Sequence, residues 1–191
     1  MKLESQVMRS GASMQNILNA VSLLEVQDVV LSNAGQIVDR MSELKSLYHD
    51  VMKNESDKES YNKEFRDLQV QLFDMSKIKF NGVSLFAQYT TTKGGVEALF
   101  EGTTSEDHTM SVYMSPDGDG GAVASVHKAL LLSALTINAT TLDASTYGSG
   151  NQATVYRLAN ETIDGTGAGS VISLGAISVG VYSQALQNIA T

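Results

Sequence analysis

Cysteine and tryptophan are both absent from this chain of 191 residues, and its one proline is Pro116. Without cysteine there is no disulfide framework, no thiolate metal site and no cysteine nucleophile. Clusters of Lys or Arg are also absent, and the formal net charge is -8. Because nucleic-acid binding depends on clustered cations that displace counterions, we expect no nucleic-acid partner.

Long hydrophobic runs are missing as well. The longest apolar patches, at 29–31 and 130–132, are far shorter than the roughly 18 residues of a spanning helix, so we expect no membrane association. Met1 and Lys2 lead directly into polar, helix-forming sequence, and we expect no Sec-type signal. Hydrophobic residues still make up 42% of the chain, which is enough for one domain with a core or for a rod with a small appendage.

The residue patterns of common catalytic and metal sites are not found. None of the three histidines, His49, His108 and His127, has a second ligand at metal-binding spacing on a shared face. The glycine-rich segment 165–169 lacks the strand and the third glycine of a dinucleotide site, and 116–121 lacks the ligands of a calcium loop. We interpret these segments as a linker and a tight turn, and we expect no enzymatic activity, no cofactor and no metal.

The first half of the chain has a persistent helical pattern. Apolar residues recur there mostly in steps of three and four, at Val7, Met14, Ile17, Val21, Leu24, Leu31, Val38, Met41, Leu44 and Tyr48. A single helix from Leu3 to Met52 would be about 75 Å long. Around 23–31 the apolar residues spread beyond one stripe, so we expect at least two neighbouring helices.

A second helix follows a break at 54–57. Ser56 and Glu59 have the spacing of a capping box, which predicts the helix start. Apolar residues at 61, 65, 68, 72 and 75 suit antiparallel packing against the first helix. The helix should end before the turn motif Phe80, Asn81 and Gly82, since Asn-Gly readily supplies positive φ.

The rest of the chain predicts short, mixed elements. Segments 96–100 and 109–114 alternate in polarity and predict a β-hairpin joined by 101–108. Segment 122–137 has helical spacing, and 138–152 has the composition of an exposed loop. Within 171–191, β-branched residues favour a strand, whereas Ile177, Val181 and Ala185 form a helical face.

Together these elements predict a mainly α (α+β) fold: an elongated antiparallel helical rod with a small β-hairpin-containing side region. Residues 1–86 would form the N-terminal half of the rod, 87–170 the side region with the β-hairpin and a short helix, and 171–191 a C-terminal helix returning to the rod. The predicted core residues are Leu24, Leu31, Val38, Met41, Phe65, Leu68, Leu72, Ile177 and Val181.

Three motifs, in this order and at these spacings, resemble the core domain of bacterial flagellin. They are Val38-Asp39-Arg40-Met41-Ser42-Glu43-Leu44, Glu64-Phe65-Arg66-Asp67-Leu68 and Phe80-Asn81-Gly82-Val83-Ser84-Leu85. The predicted hairpin lies where flagellins have one, and 175–191 is similar to the start of the family's carboxy-terminal core helix. The resemblance does not cover residues 115–165.

The resemblance implies a structural subunit of the flagellar filament, acting in motility. It implies an extracellular location after export by the flagellar secretion system, and other flagellin subunits and hook-associated proteins as partners. It also implies a fragment that lacks the terminal coiled-coil segments of the family and is monomeric in isolation. The alternatives are a hook–filament junction protein and a secreted helical adhesin or effector.

The resemblance bears on one further partner. Arg40, Leu44 and Glu64 lie where flagellins recognised by the vertebrate innate immune receptor have their contact residues. The alternative is that Arg40 and Glu64 are simply solvated and that Leu44 belongs to the core or to a filament interface.

Overall fold

The structure is a computed structural model. It describes residues 2–87, 90–91, 97–98, 109–117, 120–138, 140–143, 155–161 and 171–190. Within these ranges the chain is mainly helical, with short antiparallel strand pairs, which agrees with the predicted mainly α class with some β.

The first helix, α1, spans Lys2–Tyr48 and is about 70 Å long. The sequence predicted that this helix would end at Met52, but it ends at Tyr48. The Asp50 side chain explains the earlier end, because its Oδ1 accepts a hydrogen bond from the Met52 backbone N–H at 2.9 Å. Such local side-chain bonds compete with the helical pattern.

The second helix, α2, spans Glu55–Met75, and its N-cap is Asn54. The predicted capping box at Ser56 is wrong, because Ser56 lies inside the first turn of α2. Asn54 takes the extended backbone of an N-cap, and its Oδ1 accepts a hydrogen bond from the Asp57 backbone N–H at 2.8 Å. An amide oxygen two residues earlier therefore has the role that the pattern assigned to the Ser56 hydroxyl.

This cap can be tested by a matched pair of substitutions. Asn54→Ala should lower the free energy of unfolding by about 1 kcal/mol, because it leaves an N-terminal amide of α2 without its acceptor. Ser56→Ala should change it by less than about 0.5 kcal/mol. Urea denaturation of both variants measures the difference, and a larger loss for Ser56→Ala would restore the capping-box interpretation.

A tight hairpin follows α2, as the Asn-Gly pair predicted. Strands β1 (Lys79–Phe80) and β2 (Val83–Ser84) pair antiparallel. The two residues between them have positive φ, 53° at Asn81 and 84° at Gly82. The predicted turn is therefore confirmed, and it reverses the chain immediately after the second helix.

The strand pairing in the middle of the chain differs from the prediction. Strand β5 (Thr109–Tyr113) pairs with β6 (Val123–His127), and the cluster at 116–121 lies in the connection between them. The short strand β4 (Glu97–Ala98) pairs with β3 (Thr90–Thr91). The predicted pairing of 96–100 with 109–114 is wrong, because Glu97–Ala98 pairs with the segment before it and Thr109–Tyr113 pairs with the segment after it. The predicted connection 101–108 lies outside the described residues.

The predicted helix at 122–137 is mostly strand. Only α3 (Leu131–Ala134) is helical; β6 precedes it, and β7 (Thr136–Asn138) follows and pairs with β8 (Val155–Arg157). The helical spacing arose because two strands and one turn of helix follow one another closely. Most of the predicted loop 138–152 lies outside the described residues, and Asn138 itself ends β7.

The C-terminal stretch forms a helix and not a strand, but the helix begins at Val179 and not at residue 171. A 3-10 turn at Leu174–Ala176 precedes α4, which spans Val179–Ala190. Val181, Tyr182 and Ala185 are buried on one side of α4, so the helical face determined the structure. Propensity for a strand at 171–181 was overridden by this packing.

One hydrophobic core joins α1, α2 and α4 to the middle of the chain. Val38, Met41, Phe65, Leu72, Ile177 and Val181 are buried in it, and Leu31 and Leu68 pack against it while partly exposed. The core also contains Leu135, Ile137 and Leu158 from the middle of the chain. The segment around α3, β7 and β8 therefore packs into the same core as the helices.

Leu24 is not a core residue, contrary to the prediction, since its side chain is 41% exposed. Within the stripe from Val7 to Leu44, Ile17, Leu24, Leu31 and Val38 follow one another at intervals of seven residues, whereas a straight helix has 3.6 residues per turn. Such a stripe drifts by about 20° per heptad around the helix. It therefore faces solvent as far as Leu24 and enters the core by Val38. At the level of Leu24 the buried residue is its neighbour Leu23.

Candidate functional site

The N-terminal half of α1 carries a row of exposed apolar side chains, which we name the apolar seam. Its members are Leu3, Val7, Met14, Ile17, Val21 and Leu24. Their exposed fractions run from 37% at Ile17 to 75% at Leu3. The spacing is that of a helix–helix contact stripe, interrupted between Val7 and Met14 by Ser10 and Gly11, and such a row of exposed apolar side chains is a candidate interaction surface.

Helix α4 covers the C-terminal part of this face of α1, and the apolar seam begins where that cover ends. Gly175, just before α4, lies against the Tyr48 ring at the C-terminal end of α1. At the other end of α4, Ile189 lines the same cleft as Leu31 of α1. Helix α4 therefore runs antiparallel to α1 and reaches the position after Leu24 on the same stripe.

An ion cluster on the outer face joins α1 to α2. Arg40 Nε lies 2.7 Å from Glu64 Oε1, Arg40 Nη2 lies 3.1 Å from Glu64 Oε2, and Arg40 Nη1 lies 2.6 Å from Glu43 Oε2. The hydrogen bonds with Glu64, and then with Glu43, raise the pKa of Arg40 above its ordinary value. The three side chains are 42–60% exposed, so the cluster is a solvated ion pair of small energetic weight.

The three positions named for receptor contact are not equivalent in the structure. Arg40 and Glu64 are at the surface and bind one another, whereas Leu44 is fully buried in the core. A partner that approaches this face would meet a paired Arg40 and Glu64 and would not reach Leu44 in this fold.

A buried polar network ties the C-terminal segment to the helices, and we name it the polar clasp. It consists of the side chains of Lys45, Asn62, Gln69 and Asn160 and the backbone of 172–175. Asn62 Oδ1 accepts from the Leu174 backbone N–H at 2.8 Å, and Lys45 Nζ donates to the Leu174 carbonyl at 2.7 Å. The segment that leads into α4 is thus held by both α1 and α2.

Gln69 is the centre of the clasp. Its Nε2 donates to the Ile172 carbonyl at 2.8 Å, and its Oε1 accepts from the Ile172 backbone N–H at 3.0 Å. The same Oε1 accepts from Asn160 Nδ2 at 2.7 Å. Gln69 and Asn160 are fully buried, so these bonds satisfy groups that would otherwise be desolvated without partners.

Lys45 is an unusual member of the clasp because a lysine is rarely this buried. Its side chain is 3% exposed, and burial lowers its pKa below the ordinary 10.5. The ammonium donates to two backbone carbonyls, those of Leu174 and Gly175, and lies in the last turn of α1, where a cation is favoured by the helix dipole.

Sequence reasoning missed the clasp, although a signal for it exists. Gln69 lies four residues after Phe65 and three before Leu72, so it shares their buried face. Lys45 likewise follows the buried Leu44 at the end of α1. Polar residues within an apolar stripe indicate a buried hydrogen-bond network, but their partners come from distant segments and cannot be read from the spacing.

Tyr182 of α4 is a second buried titratable group. Its ring is 1% exposed and meets Phe65 edge to face at 6.3 Å, and its hydroxyl has no hydrogen-bond partner among the described residues. Burial raises its pKa above the ordinary 10.0. Because the folded-state pKa is the higher one, the stability that Tyr182 contributes is complete below pH 10 and is lost as pH rises above it.

Tyr182→Phe should therefore raise the free energy of unfolding by about 1 kcal/mol at neutral pH, since it removes an unpaired buried hydroxyl and keeps the ring contact. It should also remove an alkaline loss of up to about 1.4 kcal/mol per pH unit above 10. Urea denaturation of both proteins from pH 7 to about 11 measures this. Parallel alkaline curves would contradict it. Lys45 changes the free energy of unfolding in the opposite direction, because its lowered pKa makes the folded state more stable as pH rises toward 10.5. Since both proteins contain Lys45, this contribution cancels in the comparison.

Within the part of the chain that the structure describes, no three His, Asp or Glu side chains are grouped as a metal site would require. Nor does any described helix have the length and apolarity needed to cross a membrane. Comparisons with protein-family models, curated proteins and solved structures yield no match.

Proposed function

We propose that this chain is a structural subunit of a bacterial flagellar filament of the flagellin type, exported to the cell surface and acting in motility. In this proposal the helices form an elongated antiparallel rod that packs laterally against other subunits. The apolar seam is the observation that carries the proposal. We propose the flagellin family because of the flagellin-like motifs at 38–44, 64–68 and 80–85.

The seam supports lateral packing on energetic grounds. Its side chains lie on a helix that continues well beyond the part covered by α2 and α4, so within a monomer they gain little from burial. Covering a Leu, Ile, Val or Met side chain stabilises an assembly by roughly 1.5–3 kcal/mol when burial is complete. A helix with such a surface therefore gains stability when it packs against helices of neighbouring subunits.

The polar clasp supports the same proposal in a second way. A subunit that bears load in a filament needs its C-terminal helix fixed to its N-terminal helices. The clasp achieves this by bonds from α1 and α2 to the backbone of 172–175, next to the start of α4. The rod would then transmit force as one body.

A charge placed in the seam tests the proposal. The assay uses the chain carrying flagellin-type coiled-coil segments at both ends, and measures the fraction that sediments after seeding. Val21→Glu should lower that fraction by about tenfold or more, because a buried unpaired carboxylate opposes assembly by more than about 1.4 kcal/mol. Val21 is 46% exposed in the monomer, so circular dichroism should show an unchanged fold.

The matched control is Gln15→Glu, which adds the same charge to the same helix away from the seam. Gln15 is exposed, and this variant should sediment within about twofold of the parent. Equal sedimentation of the Val21→Glu and Gln15→Glu proteins would remove the seam from the assembly interface.

A further inference from the structure

A cleft lies between α1, α3 and the end of α4, and we name it the α3 cleft. It encloses about 460 Å³ and is lined by Leu31 of α1, by most of segment 128–134, and by Asn188 and Ile189 of α4. Small-molecule sites in proteins usually have volumes of roughly 300–1,000 Å³. The α3 cleft is therefore large enough for a small organic molecule.

Hydrogen bonds to other elements hold the lining of the cleft in place. The Ala129 carbonyl accepts from the Ala87 backbone N–H at 3.1 Å, beside a parallel bridge between Phe86 and Ala129. Asn188 Nδ2 donates to the Ala134 carbonyl at 3.2 Å and so joins α4 to the end of α3. Because these bonds form within the chain itself, a ligand does not have to order the cleft when it binds.

Apolar side chains form most of the lining. Leu130 is 39% exposed, although its neighbour Leu131 is buried in the core. Leu31 and Ile189 are partly buried and pack against the core at the same cleft. A hydrocarbon chain in the cleft would remove apolar surface of Leu31, Leu130 and Ile189 from water, which favours an aliphatic ligand.

Among the described residues that line the cleft, Lys128 is the only charged one. It is partly buried, and no carboxylate of the described chain lies within ion-pair distance of its ammonium. By contrast, Lys58 pairs with Glu55 at 3.0 Å, and Lys77 pairs with Asp74 at 3.3 Å. An ammonium in an apolar cleft attracts an anion, because a charge-assisted hydrogen bond replaces the water that the cleft excludes.

The other polar side chains of the cleft are already bonded within the chain. Asn188 Nδ2 donates to the Ala134 carbonyl, and Asn188 Oδ1 accepts from Gln184 Nε2 at 3.0 Å. Ser133 also has an interaction of its own. One ammonium is then the main group for an anion, which suits a single carboxylate better than a phosphate with its three acceptor oxygens.

We propose that the α3 cleft binds an aliphatic carboxylate of medium chain length. The carboxylate lies on the Lys128 ammonium, and the hydrocarbon chain lies along Leu31, Leu130 and Ile189. The cleft is separate from the apolar seam, so this binding site does not depend on the proposed filament function.

Titration of sodium octanoate into the 15N-labelled 191-residue chain, below the concentration at which octanoate forms micelles, tests this site. The amide signals of 128–134, Asn188 and Ile189 should shift and saturate. Octanoate should bind about tenfold tighter than hexanoate, because each buried methylene strengthens binding by up to about fourfold. Octylammonium, with the same chain and the opposite charge, should bind at least about tenfold weaker than octanoate.

Substitutions separate the charge from the apolar lining. Lys128→Gln should weaken octanoate binding by about tenfold and leave the binding of 1-octanol unchanged. Leu130→Ala should weaken both ligands by the same factor, severalfold, because it removes apolar contact and no charge. Lys79→Gln is the matched control, since Lys79 is exposed on β1 outside the cleft, and it should bind octanoate within about twofold of the parent.

Circular dichroism of each variant checks that the fold is kept. Equal affinities for octanoate and octylammonium, or unchanged octanoate binding by Lys128→Gln, would overturn the assignment of a carboxylate ligand. Amide shifts that do not saturate, or that are centred outside the cleft, would overturn the site itself.

Discussion

Leu44→Ala is expected to lower the free energy of unfolding by about 3 kcal/mol or more, which is within the usual range for a buried leucine whose truncation leaves a cavity. Leu44 is a fully buried residue of α1 and a member of the hydrophobic core, so truncation removes packing at a site that water does not reach. Equilibrium urea denaturation, followed by circular dichroism, measures the change. The same substitution also tests whether position 44 is structural or a contact for an external partner.

Leu24→Ala is the matched control, with the same chemical change on the same helix. Leu24 is 41% exposed and belongs to the apolar seam, so the monomer should lose about 1 kcal/mol or less. The two variants should differ by about 2 kcal/mol. Equal losses would mean that Leu24 is packed in the monomer and that the apolar seam is part of the core.

Gln69→Leu should have an effect of similar size, with a loss of about 3 kcal/mol. Leucine nearly preserves the volume, so packing changes little. The backbone N–H and carbonyl of Ile172 lose the Gln69 side chain as a partner while they remain buried, and Asn160 Nδ2 loses the Gln69 Oε1 acceptor while it keeps the Arg157 carbonyl. The desolvated groups, and not the lost contacts, account for the loss.

Gln71→Leu provides the comparison for Gln69→Leu, since Gln71 is exposed on the same helix. It should change the free energy of unfolding by less than about 0.5 kcal/mol. Hydrogen exchange adds a local readout, because Gln69→Leu should raise the exchange rate of the Ile172 and Leu174 amides above that of α1 amides. Uniform exchange changes across the chain would argue against a clasp centred on Gln69.

The sequence predicted the long helical elements well because their signals are local and repeated. Helices α1 and α2, and the reversal at Asn81 and Gly82, follow from periodicity and from the positive φ that Asn-Gly tolerates. The exact helix starts were harder. Asn54 and Ser56 are both good N-cap residues, and only the backbone conformation at Asn54 decides between them.

The middle of the chain was predicted poorly because strand pairing depends on which segments meet. Alternation correctly marked 109–113 as a strand, but it carried no information on whether the partner lay before or after it. Segment 123–127 is a strand, but its apolar residues recur at spacings that suit either a strand or an amphipathic helix. Pairing across a connection of nine residues decided the outcome.

For the candidate site too, some features could be predicted from the sequence and others could not. The apolar stripe on α1 was visible in the sequence, but its drift from solvent at Leu24 to the core at Val38 needed the actual helix geometry. The clasp required contacts between residues about 100 positions apart, such as Gln69 and Ile172. No local pattern contains that information.

Electron microscopy of the chain flanked by flagellin-type coiled-coil segments tests the central claim most directly. We expect filaments after seeding, with the Val21→Glu protein failing to form them under the same conditions. Soluble, monodisperse protein with no assembly under any seeding condition would contradict the claim that this chain is a filament subunit.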